Sequence, residues 1–449
     1  MEQSGQLKKE IGLTVAMSLV MGTVIGSGIF MKPGRVIEAV GGSTLALVAW
    51  VLGGVLSIAG GLTIAEVSVR IPKTGGLYVY LEEVYGKVWG FLCGWMQTII
   101  YGPAIIGALG LYFGTLLSDL FSLPGGWSVP LGIGTVVFLA VMNSFGTKYG
   151  GSIQVVTTVA KFMPILLIIV LGLWKGNEQV LGAGSGSVLH TGMGSAMLAT
   201  LFAYDGWMLV GFVAGEMKNP AKHLPIAIVG GLSIVTAAYV IINVAMLHVL
   251  PADEIVRLGT SAAGTAATTL LGGLGGKIVS IGILISIFGC LNGKILAFPR
   301  IMLAMAERRQ LPFSRFLSKI WSRSGVPVAA LAVEITLAVT VMVLSNPDYL
   351  SDMAVFAIYM FYILSFAAVF LLRRRDPSGG SYRVPLYPYV PVAAILGSAF
   401  VVGSTLIHSF TDSMVAIGIT LVGLPIYLYL SRRHPEPEPG TRADGNRAA

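Results

Sequence analysis

The chain has 449 residues, 55% of them hydrophobic and 11% charged, with 29 Lys and Arg against 21 Asp and Glu for a formal net charge of +8. Ordinary soluble domains carry about 45–50% apolar and about 25% charged residues, so most of this chain has no way to face water. The positive surplus lies in alternate connections between apolar runs, which makes it a topology signal and sets aside a nucleic-acid partner.

Apolar runs of about twenty residues recur from Ile11 to Leu430, each long enough to cross a hydrocarbon core of about 30 Å at 1.5 Å per residue. Twelve are predicted, at 11–31, 43–69, 87–118, 128–146, 152–174, 193–215, 224–249, 277–304, 326–345, 353–372, 388–410 and 413–430. The first is longer than the apolar region of a signal peptide and leads into further spans, so it is expected to stay attached. Glycine fills 58 positions, close to twice the usual share of about 7%, and close helix packing accounts for most of it. Cys93 and Cys290 both fall inside apolar runs, so no disulfide framework is legible.

Lys8 and Lys9, Arg70 and Lys73, Lys148, Lys218 and Lys222, Arg308, Arg309, Arg315, Lys319 and Arg323, Arg373 to Arg375, and Arg432 and Arg433 occupy every second connection. The connections between carry few basic residues, such as Lys175 and Arg257. The positive-inside rule then places residues 1–9 and the C-terminal tail, 432–449, in the cytoplasm. The stretch 251–276 is too polar for a span and is predicted to hold a short helix outside the membrane. The end from Pro435 is polar and proline-rich and reads as disordered.

Two runs are built differently. The first holds Gly22 and then TVIGSGIFMKPG, with Gly26, Ser27, Gly28, Pro33 and Gly34; the sixth holds LFAYDGWMLVG, interrupted midway by Asp205 and Gly206. They lie five spans apart. If 10–174 and 193–372 are two five-helix repeats, with 388–431 as two further spans, the interruptions correspond in position, the pattern of a transporter site at an inverted-repeat interface. That step rests on position alone, because the halves show no residue-level self-similarity.

Glycine in GSG lets the backbone leave helical dihedrals and leaves the N–H groups of Gly26, Ser27 and Gly28 at a half-helix N-terminus, a site for an anion such as a carboxylate. The competing reading is a small-residue packing face. Asp205 is costly at mid-span and must face protein or a cavity; it either caps the second half of a broken helix or pairs with a substrate amine. Phe202 and Trp207 flank this break, to close over a ligand or simply to pack. Lys161, about ten positions into the fifth run, needs carbonyls, hydroxyls or a carboxylate around it. It is a fixed internal cation in the place of sodium, a proton carrier, or a side chain reaching the interface. Glu66, Glu334, Lys294 and Arg300 are read as structural pairs or interfacial residues. No metal-ligand spacing, Walker A loop or nucleophile elbow is present, and His190, His223, His248, His408 and His434 are scattered near span ends, so neither an enzyme nor a metal or cofactor site is expected.

GSGIF, FAYDGWMLVGFVAGEMKNP, the lysine of the fifth run and FGCLNGKILAFPRIMLAMAERRQLP resemble the amino acid–polyamine–organocation superfamily. More narrowly they resemble its L-type amino acid transporter branch and, within it, bacterial serine/threonine exchangers. The likeness covers about residues 10–431 and includes NPDYLSD. It implies an all-α integral membrane protein of twelve transmembrane helices, with a LeuT-type 5+5 inverted repeat plus two peripheral helices. It also implies a substrate carboxylate on Gly26, Ser27 and Gly28, and an amine on carbonyls of Thr23, Val24 and Ile25 and of Phe202, Ala203, Tyr204 and Asp205. Phe202 would be the outer gate, and Lys161 would bridge Gly22 to a side chain of span eight, Ser286 or Cys290.

Two departures stand out. Eukaryotic relatives often carry a small residue where this chain has Asp205, and they join a single-span glycoprotein through an extracellular cysteine that is lacking here. No disulfide-linked partner is expected. The implied activity is sodium-independent exchange of small neutral amino acids such as serine and threonine by alternating access, in the plasma membrane of a bacterium. Proton-coupled symport through Lys161 or Asp205 is the rival within transport. An amino-acid sensor lacks an appended signalling domain, and a channel fits broken helices poorly.

Overall fold

The computed structural model describes residues 12–71, 75–124, 126–146, 157, 160–182, 192–208, 217–322 and 324–433. Among them the chain is helical, with one isolated bridge between Trp321 and Val326 and no named strand. In chain order the helices are α1 (Leu13–Val24), α2 (Gly28–Met31), α3 (Pro33–Val40), α4 (Ser43–Arg70), α5 (Leu77–Tyr85) and α6 (Lys87–Met96). A π-turn at Gln97–Tyr101 joins α6 to α7 (Gly102–Leu120). Next come α8 (Ser128–Ser144), α9 (Phe162–Lys175), α10 (Gly192–Ala203), α11 (Pro220–Val249), α12 (Ala252–Leu258) and α13 (Ala262–Glu307). The last are α14 (Ser314–Leu317), α15 (Val328–Leu344), α16 (Pro347–Arg375), α17 (Tyr389–His408) and α18 (Phe410–Arg433).

Among the described residues eight helical stretches are long and apolar enough to cross a membrane, and α8, α9, α10 and α15 are shorter apolar helices. These four sit at the fourth, fifth, sixth and ninth predicted runs, and the fifth and sixth runs continue into residues outside the described set. In the most apolar 18-residue window of each, 89% of residues are buried in Lys87–Leu120 against 28% in α17 and 22% in α18, so the last two helices lie at the periphery.

Several boundaries differ from expectation. Helix α16 starts at Pro347 rather than 353, because Asn346 accepts from the Tyr349 N–H at 2.9 Å and proline suits the first helical turn. NPDYLSD is therefore a helix start. The polar stretch 251–276 holds α12 and the first turns of α13, which breaks at Gly272 (φ 77°). Arg432 and Arg433, assigned above to the tail, are the last turn of α18. The predicted N-terminal segment 1–9 and the tail from His434 lie outside the described residues, as do Lys73, Lys148, Arg323 and His190.

An aromatic cluster backs the centre of the fold. Trp50 of α4 meets Tyr204 and Tyr239 edge-on at 6.2 and 5.7 Å, the two tyrosines lie 5.1 Å apart, and the Tyr204 hydroxyl donates to the Trp50 carbonyl at 2.9 Å. Such pairs contribute about 0.5–1.5 kcal/mol each beyond area burial. They fix the point at which the sixth span stops being helical.

Candidate functional site

Helix α1 ends at Val24 and α2 begins at Gly28; between them Ile25 is extended (φ −69°, ψ 102°). Helix α10 ends at Ala203, and Tyr204–Gly206 form a turn in which Gly206 has φ 117°. The two breaks lie against each other. A Cβ on Gly28 would come within 2.4 Å of the Ala203 Cα, and one on Gly206 within 2.6 Å of the Thr23 carbonyl. Glycine is required at the first by close approach and at the second by its positive φ as well. The Thr23 hydroxyl sits between the breaks, 2.8 Å from the Leu19 carbonyl of its own helix and 3.1 Å from the Gly206 carbonyl.

Every residue from Val24 to Gly34 is buried, as are Phe202, Tyr204 and Trp207. The first N–H groups of a helix have no partner within it, and among the described residues those of Gly26, Ser27 and Gly28 donate to no backbone carbonyl. The Ser27 hydroxyl, 1% exposed, also has no partner. Four buried donors therefore gather at the start of α2, a composition suited to an oxyanion.

The carbonyls freed by the break are held by two side chains. Lys161 is fully buried; its ammonium donates to the Gly22 carbonyl and, at 2.9 Å, to that of Ile25. Its reach to the interface is thereby ruled out. On the span-eight side, the Ser286 hydroxyl has no partner, and Cys290 faces the Thr23 carbonyl with its Sγ 4.0 Å away. Among the described residues the hydrogen bonds of Lys161 go to span one. Tyr239 of α11, which sequence reasoning missed, places its hydroxyl 3.1 Å from the carbonyls of both Val24 and Ala203. A lone tyrosine in an apolar run was the signal.

Among the described residues Asp205 accepts from no backbone N–H, and its carboxylate is engaged by two side chains. One carboxylate oxygen accepts from the Tyr101 hydroxyl at 2.5 Å and the other from the Lys294 ammonium at 2.6 Å. Both side chains of the ion pair are nearly buried, 9% and 4% exposed. Tyr101 closes the π-turn, a distortion that frees backbone groups and is frequent at functional sites. Trp207 packs on Tyr362 with ring centres 5.6 Å apart, which makes it interior rather than lipid-facing.

Phe202 lies beneath a charge cluster that sequence reasoning also missed. Lys32, fully buried, donates to Asp348 at 2.5 Å and to the Ser351 hydroxyl at 2.7 Å, with its ammonium 5.2 Å from the Phe202 ring. The Tyr112 hydroxyl donates to Asp348 at 2.6 Å, and Arg35 reaches Asp352. Residues 32 and 35 share one face of the chain after the first break, and 348, 351 and 352 share one face of α16, so the cluster clamps these elements together.

The remaining charges separate. Glu66 is buried and receives Arg70 at 3.0 Å, Arg373 at 2.7 and 2.9 Å and the Val384 N–H at 2.7 Å, a structural tie between α4 and α16. Arg300 is exposed. Glu334 is neither paired nor interfacial. It is fully buried, both of its oxygens lack partners, and it lies against Gly102 at the end of the π-turn. Among the described residues no group of His, Cys, Asp and Glu is placed to hold a metal, and both cysteines are buried and unpaired.

The family model described as amino acid permease matches residues 11–429. The serine/threonine exchanger SteT of Bacillus subtilis (strain 168) is 57% identical over 428 residues, 95% of this chain and 98% of that protein. The human cystine/glutamate transporter is 31% identical over 440 residues, 95% of this chain and 86% of its own length. The mouse Asc-type amino acid transporter 1 is 31% identical over 436 residues, 94% of this chain and 81% of its own.

Proposed function

Because the chain belongs to the amino acid permease family, we propose that it exchanges small neutral L-amino acids of the serine and threonine kind, independently of sodium and by alternating access. It is an amino-acid transporter and not an enzyme, as its family and relatives are. The observation that carries the reading is the group of free donors at the start of α2. A substrate carboxylate sits on the Gly26, Ser27 and Gly28 N–H groups with the Ser27 hydroxyl beside it, and the ammonium turns to carbonyls of Thr23 to Ile25 and Phe202 to Asp205.

Sodium independence rests on Lys161. Its ammonium occupies the Gly22 and Ile25 carbonyls, the released oxygens a coupling ion would use. A small side chain fits best beside the buried aromatic residues Phe202, Tyr204 and Trp207 of the second break. We read the architecture as the LeuT-type arrangement of twelve spans, with α1–α9 and α10–α16 as inverted repeats and α17–α18 outside them. The charge pattern and the Bacillus relative support a bacterial plasma membrane with both termini cytoplasmic. No disulfide-linked subunit is needed, since both cysteines are buried.

The test is uptake of radiolabelled serine by proteoliposomes. Internal unlabelled serine is expected to stimulate uptake several-fold, with no response to sodium or to a proton gradient. Uptake into empty vesicles driven by an inward proton gradient would replace exchange with symport.

In this reading Phe202 and the Lys32–Asp348 cluster close the outer path, and the cluster must part for substrate to enter. Removing one partner of a buried ion pair costs about 3–5 kcal/mol, so Lys32→Gln is expected to weaken the closed form. Cys290, beside the Thr23 carbonyl, then becomes faster to label from outside with a membrane-impermeant thiol reagent. Unchanged labelling in a folded variant removes the cluster from the gating step.

A further inference from the structure

Away from the breaks, a cleft of about 920 Å³ opens between the end of α13, the 308–318 connection and the last turns of α18. Arg309, Arg315 and Arg433 line it, all exposed and none of them in an ion pair among the described residues, while the acid in the lining is Glu307. The lining therefore carries three positive charges against one negative. Three neighbouring arginines are paired: Arg308 with Glu82 at 2.7 Å, and Arg70 and Arg373 with Glu66.

The wall of the cleft is apolar and open. Phe313 is 83% exposed and held in the left-handed region (φ 58°), which a bulky residue adopts only when its surroundings impose it. Phe316 and Tyr429 are 54% and 55% exposed, and Arg433 lies over the Tyr429 ring at 4.9 Å. Aromatic residues beside arginines at the end of a peripheral, lipid-facing helix mark headgroup depth. Basic pockets between spans on this face suit anionic headgroups, because guanidinium forks match phosphate oxygens.

We propose that this cleft binds one anionic phospholipid, its phosphate on Arg309, Arg315 and Arg433 and its acyl chains along Phe313, Phe316 and α18. The site is separate from the breaks and does not depend on which amino acid is carried.

The experiment is thermal unfolding of the purified full chain in detergent, titrated with phosphatidylglycerol, phosphatidylcholine or inorganic phosphate, alongside the variant R309Q/R315Q/R433Q. Phosphatidylglycerol is expected to raise the wild-type melting temperature by about 3 °C or more. The other two ligands do not, and the variant loses the shift while eluting as a folded protein. An equal shift with phosphatidylcholine, an equal shift with phosphate alone, or a phosphatidylglycerol shift kept by the variant overturns the site. Should the variant not fold, native mass spectrometry of the wild type decides: preferential retention of phosphatidylglycerol over phosphatidylcholine supports the proposal, and equal retention overturns it.

Discussion

Lys161→Ala is expected to lower serine exchange by about a hundredfold or more while the protein still folds. The ammonium donates to two carbonyls left open by the first break, and a hydrogen bond to a charged group contributes about 1.5–3 kcal/mol. Losing one such bond already corresponds to about a tenfold to hundredfold change. Losing both leaves the Gly22 and Ile25 oxygens buried without a donor, so the break either closes into a helix or admits water. In both cases the N–H groups of Gly26 to Gly28 no longer meet in one place. Counterflow and melting temperature measured on the same preparation separate the two effects: exchange falls far more than stability. If the variant exchanges serine at the wild-type rate, the cation has no part in holding the site.

Asp205→Ala has the larger expected effect on stability. The carboxylate is the partner of a nearly buried ammonium, Lys294, at 2.6 Å. Its removal strands that charge among Tyr101 and Phe298, whose ring centres lie 6.0 and 5.8 Å from the ammonium. Uncompensated burial of this kind costs about 3–5 kcal/mol. The double variant Asp205→Ala with Lys294→Met removes both charges, and its melting temperature is expected to lie above that of Asp205→Ala alone. A double variant less stable than the single one would show that the pair does not act as a unit.

The breaks were legible because each is written in local chemistry: GSG in one apolar run, and Asp205 with Gly206 in the other. What the chain order hides is partnership. Lys294 and Asp205 are 89 positions apart, and Lys32 and Asp348 are 316 apart, so each was visible only as a charge in or beside a span. The π-turn at Gln97–Tyr101 leaves no trace in an apolar pattern that continues through it. NPDYLSD was misjudged for another reason. Its polarity resembles a loop, yet Asn346 caps the helix and Asp348 is neutralised by Lys32, so residues expected outside the span form its first turn. The family resemblance located Lys161 against Gly22 but not the Ile25 carbonyl, whose exposure depends on where helix α1 stops.

The Tyr239 hydroxyl invites a count of protons. It lies 3.1 Å from two carbonyls, Val24 on one interrupted span and Ala203 on the other, and a phenol has a single hydrogen to give. The phenol can fully serve one of these oxygens, and the other keeps room for a further donor between the two interrupted spans. An ammonium group brings three hydrogens. In the proposed exchange, a substrate ammonium placed between these two carbonyls donates to both interrupted spans at once, which ties the filled site together more fully than the phenol alone.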